Sequence, residues 1–163
     1  MNPIEETFRE LEQAGARLND NTEHLNSLID QYEQRLNAIK LGVSEEVEIP
    51  ETYEYLPVTH GFDSGPVAAY HAWQLRYAKS DDAWRLLAVH QVCPVERWID
   101  GGNDVEPIDE DDREWQDNNV MPLRDAPRLL RIKAVGVFEE LLGILKSKTE
   151  RYDKTISEAK AKK

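Results

Sequence analysis

The sequence contains one cysteine, Cys93, and no apolar run that approaches the ~18 residues of a membrane-spanning helix. A single cysteine excludes an intramolecular disulfide framework and a zinc site built from several cysteines. The first ten residues, MNPIEETFRE, have neither the basic nor the apolar part of a secretory signal. We therefore expect a cytoplasmic protein that does not enter the membrane.

Basic residues are also scarce, since 20 Lys and Arg stand against 32 Asp and Glu, a formal net charge of -12. Binding to phosphate backbones or anionic membrane surfaces needs a basic face, so we expect no direct binding to nucleic acid. Residues 146–163 are the local exception, with seven Lys or Arg and three Asp or Glu. We interpret this tail as a solvated helix end, and a contact with something acidic is the alternative.

Common catalytic motifs are absent from the sequence: there is no G-x-S-x-G, no phosphate-binding P-loop and no G-x-G-x-x-G. Cys93 has His90 three residues before it, which places the two on opposite faces of a strand, so we expect a structural cysteine. No carboxylate pair shows the apolar surroundings that acid catalysis requires. We therefore expect a protein that is not an enzyme and that has no cofactor.

Two stretches have apolar residues at the three- and four-residue steps of a helix. In residues 1–42 these are Ile4, Phe8, Leu11, Leu18, Leu25, Leu28, Ile29, Tyr32, Leu36 and Ile39. Pro3 suits the start of such a helix and Gly42 its end. The helix would be ~55 Å long at 1.5 Å per residue, more than a compact domain of this size needs. We expect it either to break near residues 19–21 or to pack along a partner helix.

The second helical stretch covers residues 125–160. Asp125 is a good N-cap and Pro127 fits the first turn. Its stripe consists of Leu130, Ala134, Phe138, Leu141, Leu145, Tyr152 and Ile156, widened by Ile132, Val135 and Leu142. The first half is apolar on more than one side, which indicates packing between two surfaces.

Residues 43–95 are typical of a small antiparallel sheet that contains a hairpin with strands at about 70–79 and 83–92. A turn at residues 80–81, or over 79–82, predicts one register. In it Tyr77 faces Trp84, Leu75 faces Leu86 and Trp73 faces Ala88. The opposite face carries Gln74, Arg76, Arg85, Leu87 and Val89. The segment HGFDSGP, residues 60–66, is predicted to be a loop.

Residues 96–122 are predicted to form a long acidic loop, with nine Asp or Glu and one base from Asp100 to Asp117. No frame matches the ligand and glycine spacing of a calcium-binding EF-hand, so any Ca²⁺ or Mg²⁺ binding would be loose. Trp98 and Trp115 need burial, either on the fold, which we favour, or on a partner. The predicted partner-binding residues here are Trp98, Trp115, Asp109, Glu110, Asp111 and Asp112.

The predicted register also creates two candidate ligand sites. It places His71 opposite His90, a pair that suits zinc or nickel with a carboxylate as third ligand, and His60 is the other nearby histidine. Partly buried core histidines are the more ordinary interpretation. Arg76 lies opposite Arg85, and two facing guanidinium groups need an anion between them. We favour an internal carboxylate, such as one from residues 45–54, over a bound ligand.

These elements predict one α+β domain over residues 1–163. Its long N- and C-terminal helices would pack together and against the antiparallel sheet. Since the stripes outrun the sheet, we expect a homodimer formed through the long helices. The function we favour is a non-enzymatic, acidic interaction protein that binds a basic protein partner. The alternative is a small-molecule or metal-binding domain that uses the histidine and arginine pairs of the hairpin.

Overall fold

The computed structural model describes residues 3–57, 67–99 and 104–161. In these ranges the helices are α1 (Pro3–Ile39), α2 (Arg128–Gly136) and α3 (Phe138–Ala161). The strands are β1 (Glu45–Glu48), β2 (Glu54–Leu56), β3 (Ala69–Ser80), β4 (Ala83–Pro94), β5 (Glu96–Trp98), β6 (Val105–Pro107) and β7 (Gln116–Pro122). This confirms the predicted α+β fold, with long terminal helices and a small antiparallel sheet. The predicted loop at residues 60–66 lies outside the described ranges.

Helix α1 runs without a break through residues 19–21, so one of the two expected alternatives is excluded. Its apolar positions are separated by steps of three, four or seven residues, which keeps them on one side of the helix. The helix ends at Ile39, after which Lys40 and Gly42 both adopt positive φ (55° and 65°). Glycine adopts this conformation without strain, which explains why the chain turns towards β1 here.

Strands β3 and β4 form the predicted hairpin, but the predicted register is wrong by two residues. Asp81 and Asp82 make the turn, both with positive φ (48° and 64°). A two-residue turn of this type matches the strand twist, and aspartate enters the left-handed region more readily than most residues. Each side chain therefore keeps its predicted face but changes its partner. Tyr77 pairs with Leu86, Leu75 with Ala88 and Trp73 with His90.

The main sheet has the order β1-β3-β4-β7, and β2 also pairs with β3. One face is covered by the helices and forms the core. The buried core residues on the sheet include Val47, Leu75, Tyr77, Leu86 and Ala88, with Ile49 directly after β1, and those on the helices include Ile29, Leu36, Ala134, Phe138, Leu141 and Leu145. Helices α1 and α3 meet where Tyr32 stacks on Phe138, with ring centroids 4.0 Å apart.

Polar side chains of α1 complete the contact with the hairpin. Asn37 accepts a hydrogen bond from the Tyr77 hydroxyl (2.8 Å) and donates one to the Trp84 carbonyl (3.0 Å). Glu33 accepts a bond from the backbone N–H of Leu86 (2.8 Å), which would otherwise lack a partner beyond the end of β7. The helix therefore satisfies backbone groups at the sheet edge as well as covering its apolar face.

The prediction of one acidic loop over residues 96–122 is wrong. Strands β5 and β6 pair with each other, and β7 joins the main sheet alongside β4. Most side chains of β7 are exposed and polar, so its sequence lacks the alternating apolar pattern of a strand. Backbone pairing with β4 holds it in place. This is a tertiary effect that the local sequence does not predict.

The prediction of one helix over residues 125–160 is also wrong at two points. Asp125 belongs to a short 3-10 turn (Leu123–Asp125), and α2 begins only at Arg128, after Pro127. The helical path is then interrupted at Val137, which has φ -107° and ψ 9°. Gly136 and the neighbouring β-branched residues have low helix propensity, which accounts for a break at this place.

We predict that Asp82→Gly stabilises the protein by about 0.5 kcal/mol, because glycine adopts positive φ without a Cβ clash. The free energy of unfolding in urea measures the effect. Ser80→Gly is the matched control, since it places glycine in a paired strand and should destabilise by about 0.5–1 kcal/mol. A lower stability of Asp82→Gly than of the wild type would contradict the turn.

Candidate functional site

His71 and His90 touch each other, although not as directly opposed residues. His71 pairs with Val92 across the hairpin and His90 pairs with Trp73. The two imidazoles therefore meet diagonally, with His71 Nδ1 3.1 Å from His90 Nε2. The two histidines are therefore in contact as expected, but diagonally, because a two-residue change of register keeps both side chains on one face.

Asn118 extends this contact into a short hydrogen-bond chain. Asn118 is left unpaired where β7 shifts register, since His90 pairs with Asn119 and Gln91 with Asp117. Such a bulge re-aims a side chain, and the Asn118 amide nitrogen lies 3.1 Å from His90 Nδ1. With this amide as donor, His90 Nδ1 accepts and His90 Nε2 donates to His71. Both rings are then neutral.

The environment favours the neutral form of His90. Burial, followed by the nearby His71, holds the pKa of His90 below its ordinary value of 6.5. The ring also lies 5.0 Å from that of Trp73, measured between centroids. A protonated His90 would lose its bond from Asn118, because Nδ1 would then carry a hydrogen.

The predicted metal site gains no third ligand from the described residues. Within residues 3–57, 67–99 and 104–161 no group of three His, Cys, Asp or Glu side chains is placed to hold a metal ion. The predicted additional histidine, His60, lies outside these ranges. Cys93 is buried, as its interpretation as a structural residue requires.

Arg76 and Arg85 are diagonal in the observed register, so the prediction that they face each other directly is wrong. Arg76 pairs with Leu87 and Arg85 with Ala78. The Arg76 guanidinium donates to Glu46 (2.6 Å) and to Asp117 (2.9 Å). This is the internal ion pair that we favoured over a bound ligand, with a second carboxylate added.

The ion pair with Arg76 also shifts the pKa of Asp117. Hydrogen bonds from Arg76 hold the pKa of Asp117 below its usual range, and a bond from Gln91 (3.0 Å) acts in the same direction. The guanidinium thus joins β1, β3 and β7 across one face of the sheet. Because Arg76 is occupied by two carboxylates of its own chain, its arrangement is that of a structural residue.

An aromatic cluster that the sequence analysis did not single out lies beside β2. It consists of Tyr53, Tyr55, Tyr70 and Trp115. Tyr53 stacks on Tyr70 at 5.3 Å and lies 6.2 Å from the Trp115 ring. Trp115 is therefore anchored on the fold yet still 43% exposed. Alternating tyrosines around Glu54 were the available signal, and only the pairing of β2 with β3 collects them.

The acidic segment, defined here as residues 104–115, borders this cluster. Two of its acids are paired, Glu106 with Arg97 at 2.6 Å and Glu110 with Arg113 at 3.9 Å. The other acids in the segment have no ion pair in the described part of the chain: Asp104, Asp109, Asp111, Asp112 and Glu114. Trp98, in contrast, lies in β5 opposite Val105 and is partly buried.

The stripe of α1 divides into a buried half and an exposed half. Ile29 and Leu36 are each only 2% exposed, whereas Phe8 is 61% and Leu11 is 60% exposed. Both halves have steps that fit one heptad repeat, so they lie on one side of the helix. The first half, which we call the α1 arm (residues 4–21), thus projects an apolar stripe beyond the core.

The stripe of helix α3 is also divided, but here the buried half comes first and the exposed half second. Leu141 and Leu145 are buried, whereas Tyr152 and Ile156 are about half exposed, at 48% and 54%. We call residues 146–161 the α3 arm. Both stripes are visible in the sequence, but the points at which they leave the core are not.

We predict that acid destabilises the protein partly through His90. Since its folded pKa lies below 6.5, its contribution is intact above pH 6.5 and is lost as pH falls below that value. His90→Gln should therefore show a smaller loss of stability between pH 7.5 and pH 5 in urea unfolding. His24→Gln, which changes an exposed histidine of α1, should retain the wild-type loss. Equal pH dependence in all three proteins would contradict the assignment.

Comparison with known proteins provides no relative for this site. No family model, curated protein or solved structure matches the chain.

Proposed function

We propose that this protein is a non-enzymatic interaction protein that forms a homodimer through its long helices and binds a basic protein partner. The observation that carries the proposal is the exposed first half of the α1 stripe. Ile4, Phe8 and Leu11 are each at least 60% exposed along one side of a helix that is otherwise used to build the core. An exposed apolar stripe of this kind is usually covered by another helix.

A second copy of the chain is the partner helix that we favour. Each chain carries two exposed stripes, one on the α1 arm and one on the α3 arm. Association of two copies covers both at once, and closed two-fold dimers are the commonest form of homomeric assembly. The heptad spacing of the α1 stripe, with Gly15 and Thr22 at two of its positions, is the spacing that two-stranded helical packing uses.

The acidic segment together with the aromatic cluster supports a basic partner. Asp109, Asp111 and Asp112 lie on the surface without ion pairs in the described part of the chain, and Trp115 offers a partly exposed indole beside them. Lysine and arginine side chains are attracted both by carboxylates and by the faces of aromatic rings. A Lys- or Arg-rich segment has the chemistry that this surface complements.

The compartment that we propose is the cytoplasm, which rests on the use of a single cysteine. Among the described residues, no helix has both the length and the apolar character needed to cross a bilayer. The overall excess of acidic residues fits a protein partner better than a nucleic acid.

We predict that Leu11→Asp converts the dimer into a monomer, because it places a charge within the stripe of the α1 arm. Light scattering at several concentrations measures the mass directly. Gln13→Asp is the matched control, since it adds the same charge on the opposite side of the helix and should leave the dimer intact. A wild-type protein that is monomeric at every concentration would rule out self-association.

We predict that a lysine-rich peptide binds the wild-type protein and that raising salt weakens binding. Neutralising Asp109, Glu110, Asp111 and Asp112 together to Asn or Gln should reduce affinity at least tenfold in fluorescence anisotropy. Neutralising Glu23, Asp81, Asp125 and Glu140 is the matched control, because it removes the same charge elsewhere on the surface. Equal losses in the two variants would show a response to net charge alone, and this would contradict a local binding surface.

A further inference from the structure

We propose that the second copy binds in one defined way: the α1 arm of each protomer packs antiparallel against the α3 arm of its partner. This inference rests on the proposed function, because it presupposes a homodimer. It specifies which helices meet in the homodimer, in which direction they run, and that the same contact occurs twice. The partner of each exposed stripe is thus the other stripe of a second chain.

The directions of the helices follow from contacts along their length. Asn19 of α1 bonds Arg128, Asn26 bonds Arg131, and Tyr32 stacks on Phe138. Residue numbers rise together in both partners, so α1 runs parallel to α2 and the start of α3. The α1 arm therefore leaves one end of the core, and the α3 arm leaves the opposite end.

Because the arms project from opposite ends of one chain, they do not cover each other. A second copy turned by a two-fold axis across the helices brings its α3 arm to the end where the first copy has its α1 arm. The turned copy runs in the reverse direction, so the two arms meet antiparallel. The same operation creates the identical contact at the other end, and the assembly closes as a dimer.

The lengths of the arms fit this arrangement. The α1 arm is about 27 Å long and the α3 arm about 24 Å long at 1.5 Å per residue. Stripe residues Phe8, Leu11 and Leu18 on one arm would meet Tyr152 and Ile156 on the other. All five are exposed in the single chain.

Charge complementarity favours this pairing over two α1 arms packed together. The α1 arm has five Asp or Glu and two Arg, whereas the α3 arm has five Lys or Arg and three Asp or Glu. Lys148 is already bound to Glu45 at 2.5 Å, and a basic excess remains without it. An acidic arm beside a basic arm is attractive, whereas two acidic arms side by side repel.

The core supplies a continuous surface between the two arms. A groove of about 400 Å³ lies between α1 and the α2–α3 junction. Its lining includes Tyr32, Leu36, Ile39, Val135, Phe138 and Leu142. Since Tyr32 and Ile39 continue the stripe of the α1 arm, the partner contact runs along one side of the molecule from arm to groove to arm.

Site-specific cross-linking tests the pairing. In a Cys93→Ala background, the double variant Leu18→Cys/Tyr152→Cys should give covalent dimers with a short bismaleimide. Leu18→Cys alone and Tyr152→Cys alone are the matched controls and should stay uncross-linked, because identical positions lie at opposite ends of the dimer. Light scattering of each variant before the reaction gives its mass.

The outcomes separate this inference from the proposed function. Covalent dimers from Leu18→Cys alone would show that two α1 arms pair, which overturns the inference but leaves a homodimer. A ladder of larger species from the double variant would show open head-to-tail assembly and would also overturn it. A monomer in light scattering would overturn both.

Charge reversal gives a second, independent readout. Glu5→Lys/Glu12→Lys, beside the stripe of the α1 arm, should weaken the dimer roughly tenfold in dissociation constant. Adding Lys146→Glu/Lys160→Glu, beside the stripe of the α3 arm, should restore it to within about threefold of the wild type. No restoration by the second pair of changes would overturn the pairing.

Discussion

The structure depends on the packing of the second half of α1 across the hairpin. Ile29 and Leu36 cover its apolar face, while Asn37 bonds the Tyr77 hydroxyl and Glu33 bonds the backbone of Leu86. Burial supplies the driving force, and the two polar side chains satisfy groups that the sheet edge leaves open. Helix α3 completes the same core, so the positions of both arms follow from this one contact.

The register of the hairpin decides which candidate sites exist. A change of two residues preserves the face of every side chain, so the apolar face remains apolar and the histidines remain neighbours. Arg76 and Arg85 likewise become diagonal instead of directly opposed, and Arg76 binds two carboxylates of its own chain. Internal contacts therefore explain the most prominent polar features of the hairpin. The candidate binding surfaces lie around it.

Those surfaces lie where the core ends. The stripes of α1 and α3 are longer than the sheet that they cover. Their length is set by the sequence, so part of each stripe extends beyond the core. The unused parts project at opposite ends of the molecule with different charge, and the aromatic cluster lies beside the acidic segment. A protein built in this way has its distinctive chemistry at its exposed apolar and charged surfaces, which is why we propose binding rather than catalysis.

The sequence by itself determined the α+β class, both long helical stripes and the position of the hairpin, because periodicity and turn residues act locally. It did not determine the register, since that depends on the positive φ values at Asp81 and Asp82. The sequence did not predict strand β7 either, because its side chains are polar and only backbone pairing with β4 defines it. Only the tertiary structure decided where each stripe leaves the core and which tyrosines join Trp115, because both depend on contacts between residues distant in the chain.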